Sequence, residues 1–331
     1  MKKSVTVIEV AKLAKVSPST VSRHLRGGSI SKKAAVRVEN AIRTTGYTPD
    51  EAARTLRVGR SRTLGVLVPR VTNTFFGQAV QSMEELAHAL GYSLMLFTHL
   101  DRPDEQALHL ATMRRCRVDG VLLAATPGTT IEQIRSGLGE TPVVAFDAFV
   151  APEMDSVVLE NRGAAKEATA HLAAHGYKRI AAVGAKGNIF SFRERIAGYS
   201  AFMKSRALSP LMIVGEDYDQ LRHMLRTALN GKHPPEALLT LCDFATYNVI
   251  RVFEELHWGP KKWVPMLGFD EFPYAALLGV PISVIQQPVE EMARAGFSLL
   301  MRRIQEPAAK PVPECIRIPG ELIRRRSCGC A

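Results

Sequence analysis

The chain has 331 residues, 46% of them hydrophobic, with 43 Lys and Arg against 32 Asp and Glu, a formal charge of +11. That apolar share permits full cores in a small module plus one or two larger domains. Five cysteines, an odd number at scattered positions, point to a reducing compartment rather than a disulfide framework, while MKKSVTVIEVAK offers neither signal peptide nor membrane anchor.

The first predicted element is VTVIEVAKLAKVSPSTVSRHL, Val5 to Leu25, two short helices joined by a tight turn. Val7, Ile8, Val10 and Ala11 supply a buried stripe, and Leu13 and Ala14 close the first helix. Ser17 is a good N-cap, and Pro18 takes the first helical position, where its missing N–H costs nothing. Val21 and Leu25, four apart, face inward and leave Ser19, Thr20, Ser22 and Arg23 accessible. The pattern is a helix-turn-helix whose second helix can enter the DNA major groove. An ordinary helical hairpin is the plainer reading, and charge argues against it. Residues 1–62 hold fourteen Lys or Arg against only Glu9, Glu39, Asp50 and Glu51, so nearly the whole positive excess lies here. Such a partition is the footprint of phosphate neutralisation and counterion release.

Gly27-Gly28 breaks the chain, and Ser31 caps a third helix running to about Thr45, with Val36, Val38, Ala41 and Ile42 inward. DEAARTLRVGRSR, residues 50–62, has helix formers but little apolar surface, so it reads as a linker that is helical only when held. From Thr63 the pattern becomes apolar strands alternating with amphipathic helices. LGVLV, SLMLFT, GVLLAA and VVAFD form one series, with Phe76, Val80, Met83, Ala87 and Leu90 along one helix face. SVVLE, RIAAVG, LMIVG, ALLTL, PMLGF and ISVIQ form a second. Parallel sheets covered on both faces follow, and the strand number favours two similar doubly wound α/β subdomains facing a cleft. The expected boundaries are a helix-turn-helix domain over 1–49 and a hinge over 50–62. A first sensor subdomain takes 63–158 and 288–308, a second takes 159–287 and 309–327, and 328–331 is a tail.

Enzyme motifs are missing. No G-x-G-x-x-G follows a strand, no Walker A lysine motif is present, and no G-x-S-x-G elbow occurs. The histidines are assigned no metal-ligand pairing; His171 and His175 read as a part-exposed helix face. Cys328-Gly-Cys330 reads as a frayed tail, so neither a metal nor any other cofactor is expected. What remains is a set of groups at strand carboxyl ends, where open α/β sheets bind ligands. Asn73, Phe75 and Phe76 follow the first strand, Asp147 ends VVAFD, Arg195 lies in a loop-to-helix segment, and Asp270 ends MLGFD. Carboxylates, an arginine and an amide among aromatic faces suit a polyhydroxylated ligand. Each has a plainer role, as helix cap or core ring, and their recurrence at strand ends favours the site.

With these residues in view, the chain resembles the lactose-repressor/galactose-repressor (LacI/GalR) family of transcription regulators from end to end. VAKLAKVSPSTVSRHL resembles the family's helix-turn-helix, and RVENAIRTTGYTPDEAARTL its third helix and hinge. TLGVLVPRVTNTFFGQAV resembles the first strand and ligand loop, and HLAAHGYKRIAAVG with RERIAGYSAF the second subdomain. The resemblance implies a periplasmic-binding-protein-like sensor and a homodimer reading a pseudo-palindromic operator on double-stranded DNA. Pro18, Ser19 and Arg23 would then approach base edges, and Thr20 and Ser22 phosphates, with Lys15, Ser17 and Arg26 beside them. Ala53 and Leu56 fall in the hinge, Leu56 as the minor-groove wedge. Asn73, Phe75, Phe76, Asp147, Ser191, Arg195, Tyr218, Cys242 and Asp270 would contact a small effector, a carbohydrate or sugar acid.

Several positions depart from the pattern. Lys15 replaces a turn glycine, Asp50 a hinge asparagine, Glu160 an aspartate, and Cys242 an asparagine that many members use to bind ligand. Arg70, Lys186 and Arg193 would suit an acidic sugar. Without C-terminal leucine heptads the resemblance supports a dimer rather than a tetramer, and it implies a bacterial cytoplasmic protein working at the nucleoid, with no membrane partner. Two other classes remain beside the regulator: an enzyme with a DNA-binding appendage, such as a sugar kinase, and a solute-binding protein without its signal peptide.

Overall fold

The computed structural model describes residues 5–25, 27–47, 60–185, 189–215, 217–306 and 312–330. Arg26, Lys186, most of the predicted hinge and its positions Ala53 and Leu56 lie outside them. The chain divides into two compact units, Met1–Ser61 and Arg62–Ala331.

In the first unit, α1 (Val7–Ala14) opens on a capping box that sequence reading missed. The Glu9 N–H donates to Thr6 Oγ1 at 3.4 Å, and the Glu9 carboxylate accepts from the Thr6 N–H at 2.7 Å. Helix α1 ends at Lys15, which takes the left-handed conformation, φ 51° and ψ 50°. Helix α2 (Pro18–Leu25) starts with the Ser17 hydroxyl accepting from the Thr20 N–H at 3.2 Å. Helix α3 (Lys32–Thr45) is capped by Ser31 and stopped by Gly46 at φ 63°. Val10, Ala11, Ala14, Val21, Val38 and Ala41 form the core. Ile8, Leu25 and Val36, expected inside, are exposed instead, as is Leu13. Ile8 and Val36 each stand two residues from a buried valine, about 200° around the helix, so one of each pair must face out. A core this small has no surface left to cover Leu13 or Leu25.

The second unit holds two six-stranded sheets. Strands β1 (Thr63–Val68), β2 (Ser93–Thr98), β3 (Gly120–Leu123), β4 (Val143–Phe146), β5 (Ser156–Leu159) and β11 (Cys315–Ile318) run parallel in the order β11-β5-β4-β3-β1-β2. Helices α4 (Thr74–Ala89), α5 (Pro103–Arg115) and α6 (Ile131–Leu138) connect them, and α11 (Val289–Gln305) returns to pack Met292, Phe297 and Leu300 into the same core as α4. Strands β6 (Ile180–Ala185), β7 (Leu211–Gly215), β8 (Ala237–Thr240), β9 (Met266–Phe269), β10 (Ser283–Gln286) and β12 (Glu321–Ile323) form the other sheet, ordered β12-β10-β9-β8-β6-β7. Its helices are α7 (Asn161–Ala174), α8 (Phe190–Ser205), α9 (Tyr218–Leu229) and α10 (Asp243–Glu255). Among the described strands only β12, the edge strand, is antiparallel to its neighbour β10. Strands β3 and β8 are buried along their whole length, which their unbroken apolar runs foretold.

Three expectations need correction. Ser156–Leu159, placed at the head of the second strand series, pairs with β4 and β11 in the first sheet. Residues 309–327 do not all join the second subdomain, because Cys315–Ile318 extends the first sheet and only Glu321–Ile323 the second. The chain crosses between sheets at Gly320, where a Cβ would meet Ile285 at 2.8 Å and Leu159 at 3.3 Å, one residue from each sheet. The tail is not frayed. Ser327 donates to the Met266 carbonyl at 2.7 Å and accepts from the Ser283 N–H at 2.8 Å, and Cys328 is fully buried. Among the described residues no helix is long and apolar enough to cross a membrane.

Candidate functional site

Helix α2 carries the first candidate surface. Lys15, Ser17, Pro18, Ser19 and Arg23 are exposed, while Thr20 and Ser22 are half-buried. Ser17 Oγ lies 2.8 Å from Ser19 Oγ and 2.9 Å from Thr20 Oγ1, so three hydroxyls cluster at the helix start. The Thr20 and Val21 N–H groups there donate to Ser17, and the positive end of the helix dipole beside the exposed hydroxyls suits a phosphate. His24 reaches Glu39 at 3.4 Å and links α2 to α3. The Gly27-Gly28 turn closes α2 through the Gly28 N–H donating to the Arg23 carbonyl at 2.9 Å. A Cβ on Gly28 would stand 2.7 Å from Arg23 Cγ, so the glycine leaves room for the arginine stem.

The second candidate lies between the two sheets. Each sheet reverses its strand order once, at β1 and at β6, and the loops after those strands begin α4 and α8. Ligands bind beside such switch points in open α/β sheets. Asn73 caps α4, accepting from the Phe76 N–H at 3.3 Å, and its amide donates to Asp243 Oδ1 at 3.4 Å. That bond joins a loop of the first sheet to the start of α10 in the second. Phe149 and Phe190, also from opposite subdomains, bring their rings to 5.9 Å.

Arg195 is the best-anchored group. It is 2% exposed, donates from Nε to Asn161 Oδ1 at 2.7 Å and from Nη1 to the Leu241 carbonyl at 2.6 Å. Its guanidinium lies 4.2 Å above the centre of the Phe269 ring. Asp270 accepts from Gln287 Nε2 at 2.5 Å and from the Asp243 N–H at 3.3 Å. Asp147 and Asp270 hold matching places after the fourth strand of each sheet, both following phenylalanine and both left-handed, at φ 52° and 73°. Asp147 Oδ1 is buried without a hydrogen-bond partner among the described residues, as is Gln287 Oε1.

Three carboxylates around one guanidinium shape the electrostatics. Burial pushes the Asp147 carboxyl up to about 7, with Asp270 adding to the shift and Arg195 opposing it. Burial, then Asp270, raises Asp243 to about 6. The Cys242 thiol is pushed up to about 12 by burial and the neighbouring carboxylates, so it stays protonated and unreactive. Burial also raises the Tyr218 hydroxyl, and that ring packs on Phe244 with centroids 3.8 Å apart. Ser191 is buried in the first turn of α8.

Asn73, Asp147, Arg195 and Asp270 therefore belong to one constellation, joined by hydrogen bonds or by charge, and Tyr218 and Cys242 adjoin it through Asp243. Phe75 goes elsewhere: 5% exposed, it stacks on Phe146 at 5.7 Å inside the first subdomain's core. Phe76 packs edge-on against it at 5.0 Å and is partly buried. Two adjacent residues at a helix start diverge by about 100°, so Phe75 enters that core fully while Phe76 packs against its edge. Sequence reading missed Gln287 and the anchoring roles of Asn161 and Asp243. The polar end of ISVIQQP, another strand carboxyl terminus, was the available signal for Gln287.

The comparisons agree with this architecture. Residues 6–50 match the model for bacterial regulatory proteins of the lacI family. Residues 61–326 match the model for periplasmic binding proteins and the sugar binding domain of the LacI family. The chain is 32% identical over 98% of its length to the HTH-type transcriptional regulator PtxS of Pseudomonas aeruginosa, covering 95% of that protein. It is 26% identical over 97% of its length to the ribose operon repressor of Halalkalibacterium halodurans, covering 96% of it. Among solved structures, the lac repressor dimer bound to operator and an anti-inducer superposes with a TM-score of 0.85. It shares 21% identity, with 98% of this chain and 99% of that one covered, which is a likeness of fold. With both of its units matched, this chain belongs to the LacI family of bacterial transcriptional regulators.

Proposed function

We propose that the chain represses a carbohydrate-utilisation operon, binding a pseudo-palindromic operator as a homodimer and releasing or gripping it according to a small sugar or sugar acid in the cleft. The buried Asp147 oxygen without a partner carries the reading. A hydroxyl donor from a ligand would satisfy that atom, and Gln287 Oε1 offers a second acceptor in the same constellation. Arg195, held rigid by Asn161 and the Leu241 carbonyl, supplies donors in fixed positions. Asn73 and Ser191 complete the polar lining, and Phe76 and Tyr218 offer apolar faces.

On the DNA side, Arg23 takes a guanine edge from the exposed face of α2, with Pro18 and Ser19 beside the bases. Lys15, Ser17, Thr20 and Ser22 meet phosphates, and Arg26, Ala53 and Leu56 take their family roles. Relatives named for transcriptional regulation and for a ribose operon support a sugar-responsive regulator, one that acts by binding rather than by turnover and works at the nucleoid.

The test pairs a thermal-shift screen of neutral sugars and sugar acids with operator selection from a random duplex library. At one hundred times its Kd, a true effector adds about 2.7 kcal/mol of stability. A protein that selects no duplex and shifts with no sugar or sugar acid would overturn the reading.

A further inference from the structure

Four side chains gather far from the cleft, at the C-terminal end of α7. His171 and His175 stand four residues apart, the H-x-x-x-H spacing that places both imidazoles on one helix face. The terminal turn lays Cys328 and Cys330 against that face. His171 Nε2 lies 3.2 Å from Cys328 Sγ and 3.6 Å from Cys330 Sγ, and His175 Nε2 lies 3.5 Å from Cys330 Sγ. One nitrogen or sulfur from each of the four falls within 4.8 Å of all the others.

We propose that His171, His175, Cys328 and Cys330 form a tetrahedral site for zinc or a similar thiophilic divalent cation. A tetrahedral zinc with Zn–N about 2.0 Å and Zn–S about 2.3 Å holds its N and S ligands about 3.5 Å apart. The three measured N···S separations bracket that value. Two imidazoles and two thiols are also the donor set that zinc selects over calcium or magnesium, which take oxygen. The expectation that these histidines and the Cys-Gly-Cys tail bind nothing is thereby revised.

The backbone is built to hold this arrangement. Gly329, between the two thiols, has φ 101°, and a Cβ there would meet the Tyr177 hydroxyl at 2.7 Å and His175 Nδ1 at 3.5 Å. A side chain would therefore push the loop off the histidine pair. Cys328 is fully buried, so its sulfur is fixed by packing before any ion arrives, while the other three ligands keep partial exposure and leave an entry path. Ten residues of helix separate Asn161, which anchors Arg195, from His171, a span of about 15 Å. The ion is therefore no part of the effector pocket. It pins the chain terminus to α7, closing a loop of more than 150 residues between His175 and Cys328.

The test uses the full chain, kept reduced, stripped of metal and titrated with zinc or cobalt(II) alone. The expected result is one equivalent per chain, with the strong visible absorption of a tetrahedral thiolate site in the cobalt form. His175→Ala and Cys330→Ser, both at partly exposed positions, should lose that stoichiometric binding while circular dichroism stays unchanged. Cys116→Ser with Cys315→Ser, which removes two exposed thiols outside the cluster, should keep it. Clearly substoichiometric binding, or equal binding by His175→Ala and Cys330→Ser, would overturn the proposal.

Discussion

Replacing Asp147 with Asn should stabilise the ligand-free protein and cost it its response to effector. The position is left-handed, which asparagine tolerates, and the side chains are nearly the same size, so the backbone need not move. The carboxyl is pushed up to about 7 from an ordinary 3.8 by burial, with Asp270 reinforcing the shift. Because the folded chain holds this proton more tightly than the unfolded chain, the group favours folding below about pH 4. That advantage is lost as the pH rises to about 7. Three pKa units correspond to a ceiling of about 4 kcal/mol. Oδ1 is shielded but the residue as a whole is half-exposed, so about 2 kcal/mol is the expected share. Urea unfolding of both proteins at several pH values between about 4 and 8 reads the effect. The curves should coincide near pH 4 and separate by about 2 kcal/mol in the variant's favour near pH 8. Asp243, raised to about 6, leaves a smaller slope in both. Parallel curves, or a variant less stable at pH 8, would show that the carboxylate is already satisfied and that the pocket argument is wrong.

Other substitutions probe other parts. Arg195→Ala should destabilise the sensor by about 3 kcal/mol, since Asn161 and the Leu241 carbonyl lose a charged donor, and should abolish any effector-induced thermal shift. Operator affinity measured without ligand should be little changed. Lys15→Gly should stabilise the DNA-binding unit by about 0.5–1 kcal/mol, the relief of a left-handed lysine less glycine's extra unfolded-state entropy, read as a higher midpoint in urea unfolding. Gly28→Ala should displace the Arg23 stem and weaken operator binding about tenfold, with helicity retained by circular dichroism. Binding of the full chain to its operator should fall steeply with salt, log Kd rising linearly with log salt concentration; a flat plot would refute a phosphate-gripping head.

Much of this fold is readable from local chemistry. Ser17-Pro18 and Ser31 name their helix starts because a hydroxyl at the cap and a proline in the first turn solve the same orphan N–H problem in any context. Apolar runs such as Gly120–Leu123 and Ala237–Thr240 declare strands buried on both faces. The strand-end positions Asp147 and Asp270 were likewise visible, since each follows a short apolar run ending in phenylalanine. Sheet membership was not visible, because Ser156–Leu159 and Cys315–Ile318 look like any other strand and only long-range pairing assigns them. Phe75 and Phe76 could not be separated without the core that claims Phe75. The histidine–cysteine cluster escaped for a related reason: its halves lie more than 150 residues apart, and the fold alone joins them.

The central claim, that a basic helical head binds DNA under the control of a cleft with an unsatisfied carboxylate, meets its most direct test in one titration. Fluorescence anisotropy of the selected operator with the full chain should be measured with and without the sugar or sugar acid that gives the largest thermal shift. A coupling of about 1–3 kcal/mol predicts a change in operator Kd of about 5- to 150-fold in the wild type and none in Asp147→Asn. An operator Kd that stays the same with the cleft saturated would contradict the account.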